Sequence, residues 1–135
     1  MPYVVGRGLA DITGEAADWP FAHKLRELIA VDLEATMLMS RDIGRRMQEH
    51  GSGCIINMGW DKVDVGMAGD SGQLFAAVKG AVAAFTKSLA LTLAPRVRVN
   101  CLAPGWIKTT SISPMSTRAS ISFKSETVII SVPIF

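Results

Sequence analysis

Cysteine is scarce in this chain. Two of them, Cys54 and Cys101, stand among 135 residues, too few for a disulfide framework of the kind that holds small secreted domains together. Both sit inside apolar, strand-like runs, and two buried reduced thiols suit a cytosolic protein. A strong charge of either sign is also missing: 14 Lys and Arg face 12 Asp and Glu, for a net charge of +2. That excess is too small to argue for nucleic acid, and the basic residues form no run. Lys24, Arg26, Arg41, Arg45 and Arg46 read as solvated sides of helices. No apolar run is expected to reach the ~20 residues that span a bilayer, and Met1-Pro2-Tyr3 does not open a signal peptide. No internal repeat is present and no metal site is read. A soluble, cytoplasmic single domain is the expectation, since about this length can bury roughly two-thirds of the unfolded surface.

What is present is apolar. Hydrophobic residues make up 49% of the chain and the mean hydropathy is +0.30. Parallel strands buried on both faces produce such a value, and so does a piece cut from a larger domain. Residues 1–20 mix Gly, Asp and Pro without a sustained period, and Thr13 can cap a short turn. From Phe21 to about His50 the residues Leu25, Leu28, Ile29, Leu33, Met37 and Met47 recur at helical spacing. Gly51-Ser52-Gly53 ends that pattern. Cys54 to Met58 reads as a buried strand, and residues 59–71 as a loop rich in Gly and Asp. An Ala- and Leu-rich helix is expected over 71–93, capped by Asp70 or Ser71 and followed by Pro95. Val97 to Leu102 reads as a second strand.

Strand, loop, helix and strand form one βαβ crossover, which favours parallel pairing. Ligands of open α/β sheets bind beyond the carboxyl ends of the strands. Gly59-Trp60-Asp61 and Pro104 to Thr109 stand at those ends. The residues therefore place a candidate site between the two loops, over the helix face that carries Phe75 and Lys79, four apart.

Three words in the chain carry a resemblance: Gly53-Cys54-Ile55-Ile56-Asn57-Met58, the helix with Lys79, and Arg98-Val99-Asn100-Cys101-Leu102-Ala103-Pro104-Gly105-Trp106-Ile107-Lys108-Thr109. Together they resemble the short-chain dehydrogenase/reductase family over roughly residues 10–109. The resemblance implies an α/β fold, here the central βαβ portion of a Rossmann-like, doubly wound parallel sheet. Two adjacent strands of a larger sheet would remain, each with an uncovered edge. It also implies an NAD(P)-dependent oxidoreductase acting on a carbonyl/alcohol pair, such as a 3-oxoacyl reductase.

The family's catalytic set is Asn, Ser, Tyr and Lys. On this chain Asp32 takes the Asn position, Trp60 the Ser position and Phe75 the Tyr position, while Lys79 keeps its own. In the family the phenol exchanges a proton with the substrate and the lysine holds the nicotinamide ribose. Phe75 reads otherwise as a core aromatic, Lys79 as a solvated helix lysine, and Trp60 as packing or as a ring that stacks on a ligand. Asp61 and Ser71 are the polar groups within reach of a shifted role. Pro104, Gly105, Ile107 and Thr109 match the turn that holds the nicotinamide in the family. Gly6-Arg7-Gly8 lacks the preceding strand and following helix of a phosphate-binding turn.

Residues 1–109 are read as a partial domain, truncated at both ends and inactive as a fragment. Residues 110–135 read as an unrelated tail rich in Ser and Thr, in which Val128 to Pro133 can form a strand. The alternative function is a non-catalytic dimerisation or interaction module. The resemblance implies homo-oligomerisation through helices 32–50 and 71–93.

Overall fold

The computed structural model describes residues 18–105, together with the backbone of 107–109, 121–123 and 128–131. Thr13, the Gly6-Arg7-Gly8 stretch, the side chains of Ile107 and Thr109, and most of the 110–135 tail lie outside the described residues. Helix α1 (Phe21–Leu28) follows Pro20. A π-helical segment (Ile29–Glu34) joins it to α2 (Ala35–His50), so the helical period seen in the sequence is continuous but carries one widened turn. Gly51 closes α2 in the left-handed region at φ 97°, donating its amide toward the carbonyls of Met47 and Gln48. Only a residue without a Cβ takes that conformation at no cost.

Strand β1 (Gly53–Met58) pairs in parallel with β2 (Val97–Ala103), from Gly53 opposite Val97 to Met58 opposite Leu102. Helix α3 (Asp70–Leu93) is the crossover between them. It starts after Gly69, which stands at the N-cap position at φ 86° with no side-chain cap, so neither Asp70 nor Ser71 caps it as expected. Leu89, Ala90 and Leu93 of α3 meet Val97 and Val99 of β2, with Met47, Ile55 and Phe85 packed around them. Burying each large aliphatic side chain contributes about 1.5–3 kcal/mol, and Leu93, Val82, Val97 and Val99 are almost fully buried.

The sheet departs from the expected edges and faces. Strand β5 (Val128–Ser131) runs antiparallel against β2, pairing Ala103 with Val128, so the outer edge of β2 is not bare. The three strands stand in the order β1-β2-β5. A separate antiparallel pair joins β3 (Ile107–Thr109) to β4 (Ile121–Phe123). The core faces of β1 and β2 alternate with an open face, where Ile56 is 63% and Met58 42% exposed. Cys54 lies on that open face and is exposed rather than buried; Cys101 is buried as expected. Strict alternation, not burial of both faces, is the pattern here. One further expectation changes: α3 is long and apolar enough to cross a membrane, with a mean hydropathy of 1.5 over its most apolar window. Half of that window is buried within the fold, as befits the core helix of a βαβ unit.

Candidate functional site

Strand β1 ends at Met58, and the chain turns at Gly59, whose amide donates to the carbonyl of Leu102 across a 2.7 Å bond. Two residues on, the Asp61 amide reaches the carbonyl of Pro104 at 3.4 Å. The two loops singled out by their sequence are thus tied together by their backbones at the carboxyl ends of parallel strands. Helix α3 runs beneath them and presents Phe75 and Lys79 on its buried side.

The four positions aligned with a catalytic set do converge. Trp60 and Phe75 pack edge to face, with ring centroids 5.1 Å apart. The Nζ of Lys79 stands 5.4 Å from the centre of the Phe75 ring and 3.2 Å from Oδ2 of Asp32. Asp32 reaches the cluster from the π-helical segment. All four residues are buried: Trp60 is 6%, Phe75 7%, Lys79 4% and Asp32 5% exposed. Lys79 is therefore no solvated helix lysine. The ammonium lies within ion-pair range of Asp32 Oδ2, yet that oxygen accepts no properly aligned hydrogen bond. Their attraction is coulombic more than directional.

Chemically, the cluster holds one carboxylate, one ammonium and two aromatic rings. Neither Trp60 nor Phe75 offers a hydroxyl. A ring at position 75 can exclude water and attract a cation, but it cannot exchange a proton. Of the secondary candidates, Ser71 is half-buried at the start of α3. Asp61 is largely buried; its Oδ2 lies 3.3 Å from Lys62 Nζ and its Oδ1 has no hydrogen-bond partner.

Sequence reasoning missed a polar chain just below this cluster. Ser40 Oγ of α2 donates to Asn57 Oδ1 of β1, Asn57 Nδ2 donates to Thr86 Oγ1 of α3, and Thr86 Oγ1 donates to the carbonyl of Val82. All three side chains are buried, so every bond in the chain offsets a desolvation cost. A lone Asn inside the apolar run Ile55-Ile56-Asn57-Met58 was the available signal. Beside it, burial pushes the Cys101 thiol above its ordinary value, opposed by the positive charge of Lys79, the Gly59 amide, the Thr86 hydroxyl and the charge of Lys87. A cleft of about 440 Å³ opens on this side of α3, lined by Trp60, Asp61, Asp64, Ala83, Lys87 and Cys101 among others. Neither Phe75, Lys79 nor Asp32 lines it.

The family model described as "Enoyl-(Acyl carrier protein) reductase" matches residues 7–130. The chain is 39% identical over 93 residues to the short-chain reductase protein NovJ of Streptomyces niveus, covering 67% of this chain and 34% of that protein. It is 38% identical over 92 residues to the 3-oxoacyl-[acyl-carrier-protein] reductase FabG of Chlamydia pneumoniae, covering 67% of this chain and 36% of the relative. The chain thus spans little more than a third of the length of either curated relative. Among solved structures, it is similar to a gluconate 5-dehydrogenase from Burkholderia cenocepacia in complex with NADP and tartrate. That match has a TM-score of 0.58 at 28% identity and covers 67% of this chain and 35% of the other. An acetoin dehydrogenase from Enterobacter cloacae matches with a TM-score of 0.59 at 32% identity, covering 73% of this chain and 37% of the other.

Proposed function

Because the chain belongs to the short-chain dehydrogenase/reductase family, we propose that it derives from an NAD(P)-dependent oxidoreductase of carbonyl/alcohol pairs and does not itself transfer hydride. The observation that carries this reading is Phe75, buried against Trp60 where the resemblance expects a proton-exchanging phenol. A positioned acid or base contributes about 10²–10⁴-fold in rate, and the remaining polar members of the cluster are a lysine and its paired carboxylate. The substrate class implied is a small carbonyl or alcohol compound, with 3-oxoacyl thioesters the leading example. A net charge of +2 with no run of basic residues speaks against a nucleic-acid partner. The free thiols support a reducing, cytoplasmic setting.

NAD(P) is the cofactor that the family implies. The cluster does not fit its nicotinamide ribose. The ammonium that would grip the ribose diol is buried against Asp32 and the Phe75 ring, and among the described residues neither Trp60 nor Phe75 supplies a hydroxyl beside it. Pro104 and Gly105 keep the family's turn after β2, with Ile107 and Thr109 in β3, as residues proposed to have contacted the cofactor.

A second reading is a non-catalytic association module. Ala77, Ala84 and Leu91 recur every seven residues on the exposed side of α3, where Leu91 is 73% exposed. The first reading is tested by a fluorescence titration of the purified chain with NADPH, followed by an assay with a 3-oxoacyl thioester, and the second by the chain's association state. Neither saturable binding nor enzyme-proportional oxidation is expected. Steady NADPH oxidation by the unmodified chain would overturn the inactive reading. Association of helices without cofactor binding would favour the second.

A further inference from the structure

A buried lysine must answer for its charge. Lys79 projects from the middle of α3 with its side chain 6% exposed, and Asp32 meets it from the π-helical segment with its side chain 5% exposed. Among the described residues the near neighbours of its ammonium are the Asp32 carboxylate and the Phe75 ring. Either charge taken out of water alone is strongly disfavoured, so neither is tolerable there without the other. The adjoining cleft is lined by Lys87, Asp61 and Asp64 but not by Lys79. Among the described residues, the lysine thus faces a carboxylate of its own chain and does not line this cleft.

We infer that Asp32 is the internal counter-ion that holds Lys79 inside the fold, so that the pair clamps the π-helical segment to α3 and leaves the ammonium unavailable to a ligand. An asparagine at position 32 would leave the ammonium uncompensated and free to seek an outside partner. An aspartate satisfies it from within. The aspartate lies within the widened turn, so the ion pair ties that turn to α3. This goes beyond the loss of the phenol at position 75, because it assigns the surviving lysine a partner and a task.

The test is a double-mutant cycle on the whole chain, read by urea unfolding, with Asp32→Asn, Lys79→Met and the two combined. Each single change is expected to lower the folding constant about a hundredfold or more, since it strands one buried charge. The double variant is expected to fold at least tenfold better than the two single effects multiplied together. If Asp32→Asn fails to fold, comparing Lys79→Met with the double variant still decides, because the second change should then restore stability rather than reduce it. Effects that multiply within about threefold would overturn the inference. A parallel NADPH titration of Lys79→Met separates this inference from the proposed function. Saturable binding by the wild-type chain that disappears in Lys79→Met, while circular dichroism shows that variant still folded, would refute the clamp. Saturable binding that persists unchanged in folded Lys79→Met supports it, and where the wild type does not bind the mutant cycle alone decides.

Discussion

Phe75 and Cys101 show how far single residues decide chemistry here. Phe75→Tyr would add a hydroxyl to a ring buried between Trp60 and Lys79. An unpartnered buried hydroxyl costs about 1–3 kcal/mol, so the variant should be slightly less stable and still fail to oxidise NADPH. Combining it with Trp60→Ser should not rescue turnover; an NADPH absorbance assay checks both. The two thiols should behave as opposites. Cys54, exposed on the open sheet face, should react with a thiol reagent in the native chain, and buried Cys101 only on unfolding. The folded Cys101 thiol holds its proton more tightly than the unfolded one. Its contribution to stability is therefore undiminished below the ordinary value of 9.0 and is lost as pH rises through the raised folded value. Urea midpoints measured from neutral pH to about pH 10 should fall more steeply for the wild type than for Cys101→Ala.

At the level of elements, α3 depends on two contacts that its composition does not announce. Thr86 is the acceptor for Asn57 Nδ2 and sits at the junction of α2, β1 and α3. Thr86→Val keeps the shape but leaves that amide without an acceptor, a loss of about 1–3 kcal/mol. Thr86→Ser, which keeps the oxygen, should cost less; chemical denaturation of both variants is the measurement. Gly72 poses a contest of magnitudes. Alanine gains about 1 kcal/mol over glycine in a helix, yet a Cβ at Gly72 would collide with the backbone carbonyl of Met67. Overpacking costs about 1–3 kcal/mol, and a backbone atom cannot swing aside, so Gly72→Ala should destabilise. Gly44→Ala meets the far ends of the Leu93 and Ile55 side chains rather than backbone and should be milder. A melting series of the two decides the order.

Across the whole molecule, apolar surface is left over. Helices cover one face of the sheet, while Ile56 and Met58 stand exposed on the other and Leu38 and Met39 stand 62% and 61% exposed on α2. Contiguous exposed apolar surface favours association. The proposed partner is a second copy of the chain, met through the α2 region and the Ala77, Ala84 and Leu91 side of α3, where alanines permit close approach. A dimer or larger species is expected, weakened by Ala84→Arg through steric clash and burial of charge. Light scattering behind a sizing column checks this, and a clean monomer at concentrations well above micromolar would reject it.

The βαβ unit was legible in residues 53–103 because each element has a local signature. Helical spacing, β-branched runs and Gly or Pro punctuation report on neighbours within a few positions. The same locality brought Trp60, Phe75 and Lys79 together on paper, since the loop after β1 and the first turns of α3 are close in sequence. Other features were decided by residues far apart. The cap at Gly69, the exposed side of Cys54 and the strand that closes the edge of β2 follow from which faces meet, and single-sequence periodicity does not record that. The Ser40–Asn57–Thr86 chain spans three elements, and Asp32 lies 47 positions before Lys79 in the sequence yet within ion-pair distance of it. The sequence by itself determined the family, the crossover and the absence of a phenol at position 75. Only the tertiary structure decided that the remaining lysine points inward at a carboxylate, because charge burial is a property of packed surroundings and not of residue order.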